Sequence, residues 1–260
     1  MRLEGKTAIV TGGGRGIGEA IALALAAEGC SVAVAGRTQE YLEKVAGRIQ
    51  TLDLRRDALP VVCDVSDPRS VEDLFAKVDQ RWGKLDILVN NAGQSHSELL
   101  HRLSLDTWQH MLDVNLTGTL ICSQAALKRM LPRKSGRIIN IASTAARIGF
   151  RYAGAYAAAK HGVLGLTRTM ALETAASGIT VNAICPGWVE SDMLHQAIQT
   201  ISAKTKRPPE EARQFLANES PQKRIIQPEE IAGTTVWLAS DEARGVTGQA
   251  INVCGGQVMS

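Results

Sequence analysis

No two of the five cysteines, Cys30, Cys63, Cys122, Cys185 and Cys254, form a CxxC pair. An odd, scattered set fits free thiols in a reducing compartment better than a disulfide framework. The chain has no apolar run near the roughly 20 residues that span a bilayer. Its first residues, Met1-Arg2-Leu3-Glu4-Gly5-Lys6, hold no apolar signal core. A soluble, cytoplasmic protein is expected, with no membrane partner. No run of Lys or Arg suits a phosphate backbone, and the net charge over 260 residues is only +3, which speaks against nucleic acid. No Pro/Gly/Ser linker and no internal repeat divides the chain, so one domain over residues 1–260 is expected. His96, His101 and His110 lack the spacing and the Cys or carboxylate company of a metal site, so no metal is expected.

What is present is rhythm. Continuous apolar, β-branched runs recur at Thr7–Val10, Ser31–Ala35, Leu59–Cys63, Leu85–Asn90, Arg137–Ile141, Thr180–Ile184 and Ala250–Val253. Runs without period-2 alternation read as strands buried on both faces. Helical stretches lie between them: Ile17–Glu28 ending at Gly29, Val71–Arg81 behind Asp67-Pro68, Asp106–Met130 and Ala153–Ala176. The alternation predicts an α/β domain, a doubly wound parallel sheet of seven strands with helices on both faces. A long connection between Cys185 and Pro228 breaks the rhythm. Its Trp188, Met193, Leu194, Ile198, Phe215 and Leu216 suggest a helical lid over about 188–225.

Three features carry chemistry. The first strand runs into Thr11-Gly12-Gly13-Gly14-Arg15-Gly16-Ile17-Gly18, and glycines there let backbone amides approach a pyrophosphate at a helix N-terminus. The second strand ends Gly36-Arg37-Thr38 without the carboxylate that accepts from an NAD ribose. Arg37, joined by Arg15, suits the 2′-phosphate of NADP(H) instead. Tyr156 and Lys160 stand four apart in an Ala-rich helical stretch, hence on one face. A nearby ammonium is expected to lower the phenol pKa. Ser143, at the end of the fifth strand, reaches the same crevice.

These residues, with Asn90-Asn91-Ala92-Gly93, Asn115, Asp64 and Pro186-Gly187, resemble the short-chain dehydrogenase/reductase superfamily in its single-domain branch, over essentially the whole chain. The resemblance implies a Rossmann-type fold and a role for each position. Tyr156 exchanges a proton with the carbonyl or alcohol oxygen, and Ser143 hydrogen-bonds that oxygen. Lys160 holds the nicotinamide ribose, and Asn115 anchors a proton-relay water. Gly12, Arg15, Gly16, Ile17, Gly18, Arg37, Asp64, Val65, Asn91, Ala92, Gly93, Pro186, Gly187 and Val189 line the cofactor together with Tyr156 and Lys160. Gln94, His96, Trp188 and Met193 border the substrate.

The final Ile251-Asn252-Val253-Cys254-Gly255-Gly256 and the overall layout are similar to 3-oxoacyl carrier-protein reductases and polyketide ketoreductases. That points to reduction of an apolar ketone, thioester-linked substrates included. Lys128-Arg129 offers a place for an acidic carrier protein, although a solvated helix end explains it as well. The alternatives are an NAD-dependent secondary-alcohol or sugar dehydrogenase working oxidatively, and a cofactor-binding regulatory protein without turnover. The resemblance also implies a homotetramer, with the apolar Gln257–Ser260 tail packing on a neighbour.

Overall fold

Every strand expected from the apolar runs is present in the computed structural model, which describes residues 1–52 and 57–259. The strands are β1 (Thr7–Thr11), β2 (Ser31–Gly36), β3 (Ala58–Val62), β4 (Ile87–Asn90), β5 (Gly136–Ile141), β6 (Ile179–Pro186) and β7 (Ala250–Val253). They form one parallel sheet in the order β3-β2-β1-β4-β5-β6-β7. The order reverses between β1 and β4, and a crevice opens there beyond the strands' carboxyl ends.

Side chains that alternate across β1 feed two cores. Ala8 and Val10 face a cluster with Ile21 and Leu25 of α1 (Gly16–Ala27), Leu42 and Val45 of α2 (Gln39–Leu52) and Ile231 of α9 (Pro228–Ala239). Ile9 faces the other cluster, with Phe75 of α3 (Pro68–Trp82), Cys122 of α5 (Gly118–Met130) and Met170 of α6 (Gly154–Thr174). Apolar continuity in the strands thus reflects two covered faces. Asp67 caps α3 as expected, its carboxylate accepting from Arg69 N at 3.0 Å.

Two local expectations are corrected. Asp106–Met130 is not one helix: α4 (Leu105–Leu112) passes through a π turn at Asp113–Thr117 before α5 begins. The π turn spans only five residues and shifts the helical phase too briefly to stand out in the pattern of apolar residues. The segment expected to be a lid holds α7 (Asp192–Thr205) and α8 (Pro209–Ala217), and its apolar residues serve a core of their own. Leu194, Ile198 and Leu216 bury against Ala212 and Ile225, while Phe215 lies exposed under the Arg207 guanidinium. The end of the chain folds back on itself: Val258 is buried, its N–H donates to Cys254 Sγ and its carbonyl accepts from Asn252. Met259 is exposed, and Ser260 lies outside the described residues.

Candidate active site

The glycine turn is built by what its glycines make room for. Gly12 and Gly16 take positive φ, at 63° and 54°. A Cβ on Gly18 would stand 2.2 Å from the Gly12 carbonyl oxygen and 2.5 Å from Asn91 Nδ2, so only glycine lets α1 start this close to the turn. Arg15 precedes α1 in an extended conformation and supplies no capping bond. The first N–H groups of α1 are therefore free of side-chain caps, at the end of the helix where an anion is favoured.

Thr11 ties this turn to β4. Its buried Oγ1 donates to the Val89 carbonyl and accepts from Asn91 N at 3.0 Å and Ala92 N at 3.1 Å. Asn91, expected on the ribose side, uses its amide as a strut, donating to the carbonyls of Thr11 at 3.0 Å and Gly12 at 3.1 Å. Its role in the turn is thus to hold shape. Arg15 pairs with Asp192 at the start of α7, linking the turn to that helix through an exposed ion pair of small energetic weight.

Asp64 follows β3, and its Oδ1 accepts from Ser66 Oγ at 2.6 Å and Ser66 N at 2.9 Å. Those hydrogen bonds, with the positive charge of Arg37 nearby, hold its carboxyl below the ordinary value.

At the crevice centre, Ser143 stands just past β5 and Tyr156 in the first turn of α6. The Ser143 hydroxyl is close enough to bear on the Tyr156 phenol. Ser143 Oγ also accepts from Ala145 N at 3.1 Å. Lys160 lies one helical turn further, its Nζ 5.7 Å from the centre of the Tyr156 ring and donating to the Ile141 carbonyl at 2.8 Å. Burial lowers the Lys160 pKa to about 8. Burial likewise raises that of Tyr156, against the pull of the Ser143 hydroxyl. The expected lowering of the phenol by the ammonium is thus reversed in the cofactor-free protein. One enclosed site desolvates both charged forms, and both groups move toward neutrality.

Asn115 is fully buried within the π turn. Its Nδ2 donates to the carbonyls of Met111 at 2.9 Å and Gln94 at 3.0 Å, and its Oδ1 accepts from Gln94 N at 3.2 Å. A Cβ on Gly93 would fall 2.8 Å from Asn115 Oδ1 and 3.6 Å from Lys160 Nζ, so glycine keeps this seam open. Pro186 ends β6. Gly187 N donates to the Val253 carbonyl at 3.1 Å, and Val189 bridges to Ile226.

Of the residues expected around the substrate, Trp188 meets Phe150 edge-on, with ring centres 6.4 Å apart, and donates from Nε1 to Glu219 at 2.6 Å. His96 is exposed and Met193 half-buried. Gln94 is placed differently: its amide lies against Arg37 and His110, toward the tip of β2. Two contributors went unread in the sequence. Thr11 entered only as the first residue of the glycine turn, with no role of its own. Cys185, buried in β6, lies near the Ser143 backbone and the Arg147 guanidinium and belongs to the strand paired with β5, which presents Ser143. Neither pairing has a sequence signal.

A doubly wound sheet with a glycine turn at its switch point and a Ser–Tyr–Lys cluster at the neighbouring strand tips defines a dinucleotide-binding oxidoreductase scaffold. The family model described as "Enoyl-(Acyl carrier protein) reductase" matches residues 12–257, and the chain belongs to the short-chain dehydrogenase/reductase family. It is 42% identical to the 3-oxoacyl-[acyl-carrier-protein] reductase of Synechocystis, over 99% of this chain and 98% of that protein. Among solved structures, a Phe-to-Trp variant of actinorhodin polyketide ketoreductase with NADPH is similar at a TM-score of 0.93. That match has 39% identity and covers 97% of each chain. Levodione reductase is similar at a TM-score of 0.93 and 31% identity, covering 98% of each chain.

Proposed function

We propose that the protein is an NADPH-dependent carbonyl reductase, reversible as an alcohol dehydrogenase, acting on a 3-oxoacyl-type or other apolar ketone. The observation that carries the reading is the convergence of Ser143, Tyr156 and Lys160, the ammonium 5.7 Å from the phenol ring centre, beside an uncapped helix N-terminus and a glycine turn. The residues fit such a cofactor: Gly12, Gly16 and Gly18 leave backbone room for a pyrophosphate, and Arg37 stands where a 2′-phosphate would need a cation. The names of the Synechocystis and actinorhodin relatives support ketone reduction and NADPH.

When bound, NADPH supplies the hydride. The chain's own residues do the rest. Ser143 Oγ donates to the substrate carbonyl oxygen and stabilises the charge that develops there. Tyr156 gives its phenolic proton to that oxygen, breaking its own O–H bond as the alcohol O–H forms. A phenol kept neutral by burial holds the proton that reduction consumes. Lys160, anchored to the Ile141 carbonyl, orients the ribose and offers positive charge to the tyrosinate left behind. Both Nδ2 hydrogens of Asn115 are engaged, so a relay water would be held by the second lone pair of its Oδ1 or by the main chain of the π turn. Trp188 and Phe150 give the substrate side an apolar wall. A homotetramer is the assembly we propose, supported by the exposed Leu105 of α4 and Leu172 of α6.

The test is NADPH oxidation with a panel holding a 3-oxoacyl thioester, a cyclic ketone and a free sugar. Turnover of the first two and loss of turnover in Tyr156→Phe with retained NADPH binding are expected. Turnover confined to the sugar removes the apolar-ketone reading. Arg37→Ala is expected to weaken NADPH about tenfold or more, the scale of a lost charge-assisted bond, with little change for NADH. Equal losses would show that Arg37 does not read the phosphate.

A further inference from the structure

Gln94 follows Gly93 in the loop after β4 and is held at both ends. Its backbone is clamped by Asn115, which accepts from Gln94 N at 3.2 Å and donates to the Gln94 carbonyl at 3.0 Å. Its side-chain amide is fixed by the two neighbours it satisfies. One end of the amide lies 3.1 Å from His110 Nε2 and the other lies between Arg37 Nη1 and Nη2, and only one orientation satisfies both neighbours: with Nε2 turned to His110, Oε1 accepts from Arg37 Nη1 at 3.2 Å and Nη2 at 2.9 Å. The contact spans from the tip of β2 to the loop after β4, across the intervening β1 turn.

The guanidinium geometry decides what this contact does. Arginine carries five N–H donors in a rigid, planar fork. Gln94 Oε1 sits on the edge between the two terminal nitrogens and takes one hydrogen from each. The edge formed by Nε and the adjacent terminal nitrogen keeps its own pair of donors, and Arg37 is exposed. A phosphate dianion can take that second edge bidentately without displacing Gln94. An exposed arginine otherwise surrenders rotamer freedom on binding, whereas one already held surrenders less.

We propose that Gln94 is a specificity-determining positioning residue that presents Arg37 to the 2′-phosphate of NADPH. The inference rests on the reading above that Arg37 recognises this phosphate. Asp64 faces the same guanidinium and bears a negative charge, so an unheld Arg37 has a competing partner. Gln94 keeps it aimed at the ligand instead. A 2′-hydroxyl needs no such cation, so NADH binding is insensitive to the contact.

The experiment titrates full-length Gln94→Ala, Gln94→Met, Gln94→Glu, Arg37→Ala and the Arg37→Ala/Gln94→Ala double variant with NADPH and with NADH by cofactor fluorescence. Melting temperatures report folding. Removing the amide is expected to raise the NADPH Kd about five- to tenfold, as for one hydrogen bond to a charged group, and the NADH Kd less than about twofold. The double variant should bind NADPH no more weakly than Arg37→Ala alone. Gln94→Glu should lose more than Gln94→Ala, because a carboxylate grips Arg37 and repels the phosphate. Tighter NADPH binding in Gln94→Ala and Gln94→Met would make Gln94 a competitor of the ligand and overturn the proposal. Unchanged affinity, or equal loss for both cofactors, would overturn it too. If Arg37→Ala itself leaves NADPH selectivity intact, the assignment of Arg37 fails and the proposal goes with it.

Discussion

Replacing Lys160 by Met should make the cofactor-free protein more stable while removing its activity. The ammonium is buried, and its pKa falls from 10.5 to about 8, which corresponds to about 3 kcal/mol of unfavourable burial at pH 7. Met fills similar volume without a charge. It gives up the hydrogen bond from Nζ to the Ile141 carbonyl, worth about 1–2 kcal/mol. The net expectation at pH 7 is a gain of about 1–2 kcal/mol, read from urea denaturation at constant m.

The pH dependence identifies the cause. Between about pH 8 and 10.5 the unfolded lysine holds a proton that the folded one has lost, so wild-type stability rises with pH across that window. Below about pH 8 both states are protonated and the full penalty applies. The advantage of the variant should therefore be greatest at pH 7 and shrink to near zero by about pH 9.5. A variant less stable than wild type at pH 7, with a difference flat in pH, would refute the claim that Lys160 is a desolvated cation.

Two further changes probe the frame of the crevice. Thr11→Val keeps the shape but removes the acceptor of two backbone N–H groups, those of Asn91 and Ala92. It should cost about 2–4 kcal/mol in urea midpoint analysis, whereas Thr11→Ser should stay within about 1 kcal/mol. At the opposite end of the sheet, burial pushes the Asp86 carboxyl up, but bonds from Arg133 at 2.6 Å and Thr7 N at 2.9 Å hold it below its ordinary value. A lowered carboxylate stabilises the fold above its unfolded pKa and loses that contribution as pH falls. Asp86→Asn should thus cost about 2 kcal/mol at pH 7, and the difference from wild type should close in acid melts as the pH drops through the carboxylate range.

The sheet was legible because its central strands are buried on both faces, which leaves runs such as Ile87–Asn90 and Ile179–Pro186 in the chain. The glycine turn was legible for a steric reason: at Gly18 no Cβ fits. Tyr156 and Lys160 were legible because helical spacing alone stacks them. What stayed hidden depends on contacts between distant segments. Nothing local marks Thr11 as the tie between β1 and β4, or Leu194 as part of a core internal to the expected lid. Spacing places Lys160 beside Tyr156 but carries no information on how much water surrounds them, which is why the direction of the phenol shift was misread. Gln94 was placed near substrate by its position after Gly93, yet the turn of its side chain toward Arg37 depends on where β2 ends two strands away.

The π turn shows how these parts depend on one another. An uninterrupted α-helix through Asp113–Thr117 would engage the backbone in regular bonds and turn Asn115 by a different angle. With the turn present, Asn115 is fully buried and its amide reaches both Gln94 backbone groups and the Met111 carbonyl. Those bonds set the path of the loop that carries Gly93 past Lys160 and Gln94 toward Arg37. One buried amide therefore registers two places in the crevice, the seam beside the buried ammonium and the guanidinium at the tip of β2. Loss of that amide leaves two backbone groups of Gln94 without their partner and lets both places drift at once. The Ser143–Tyr156–Lys160 end and the Arg37 end of the site are thereby positioned by the same irregular turn of helix.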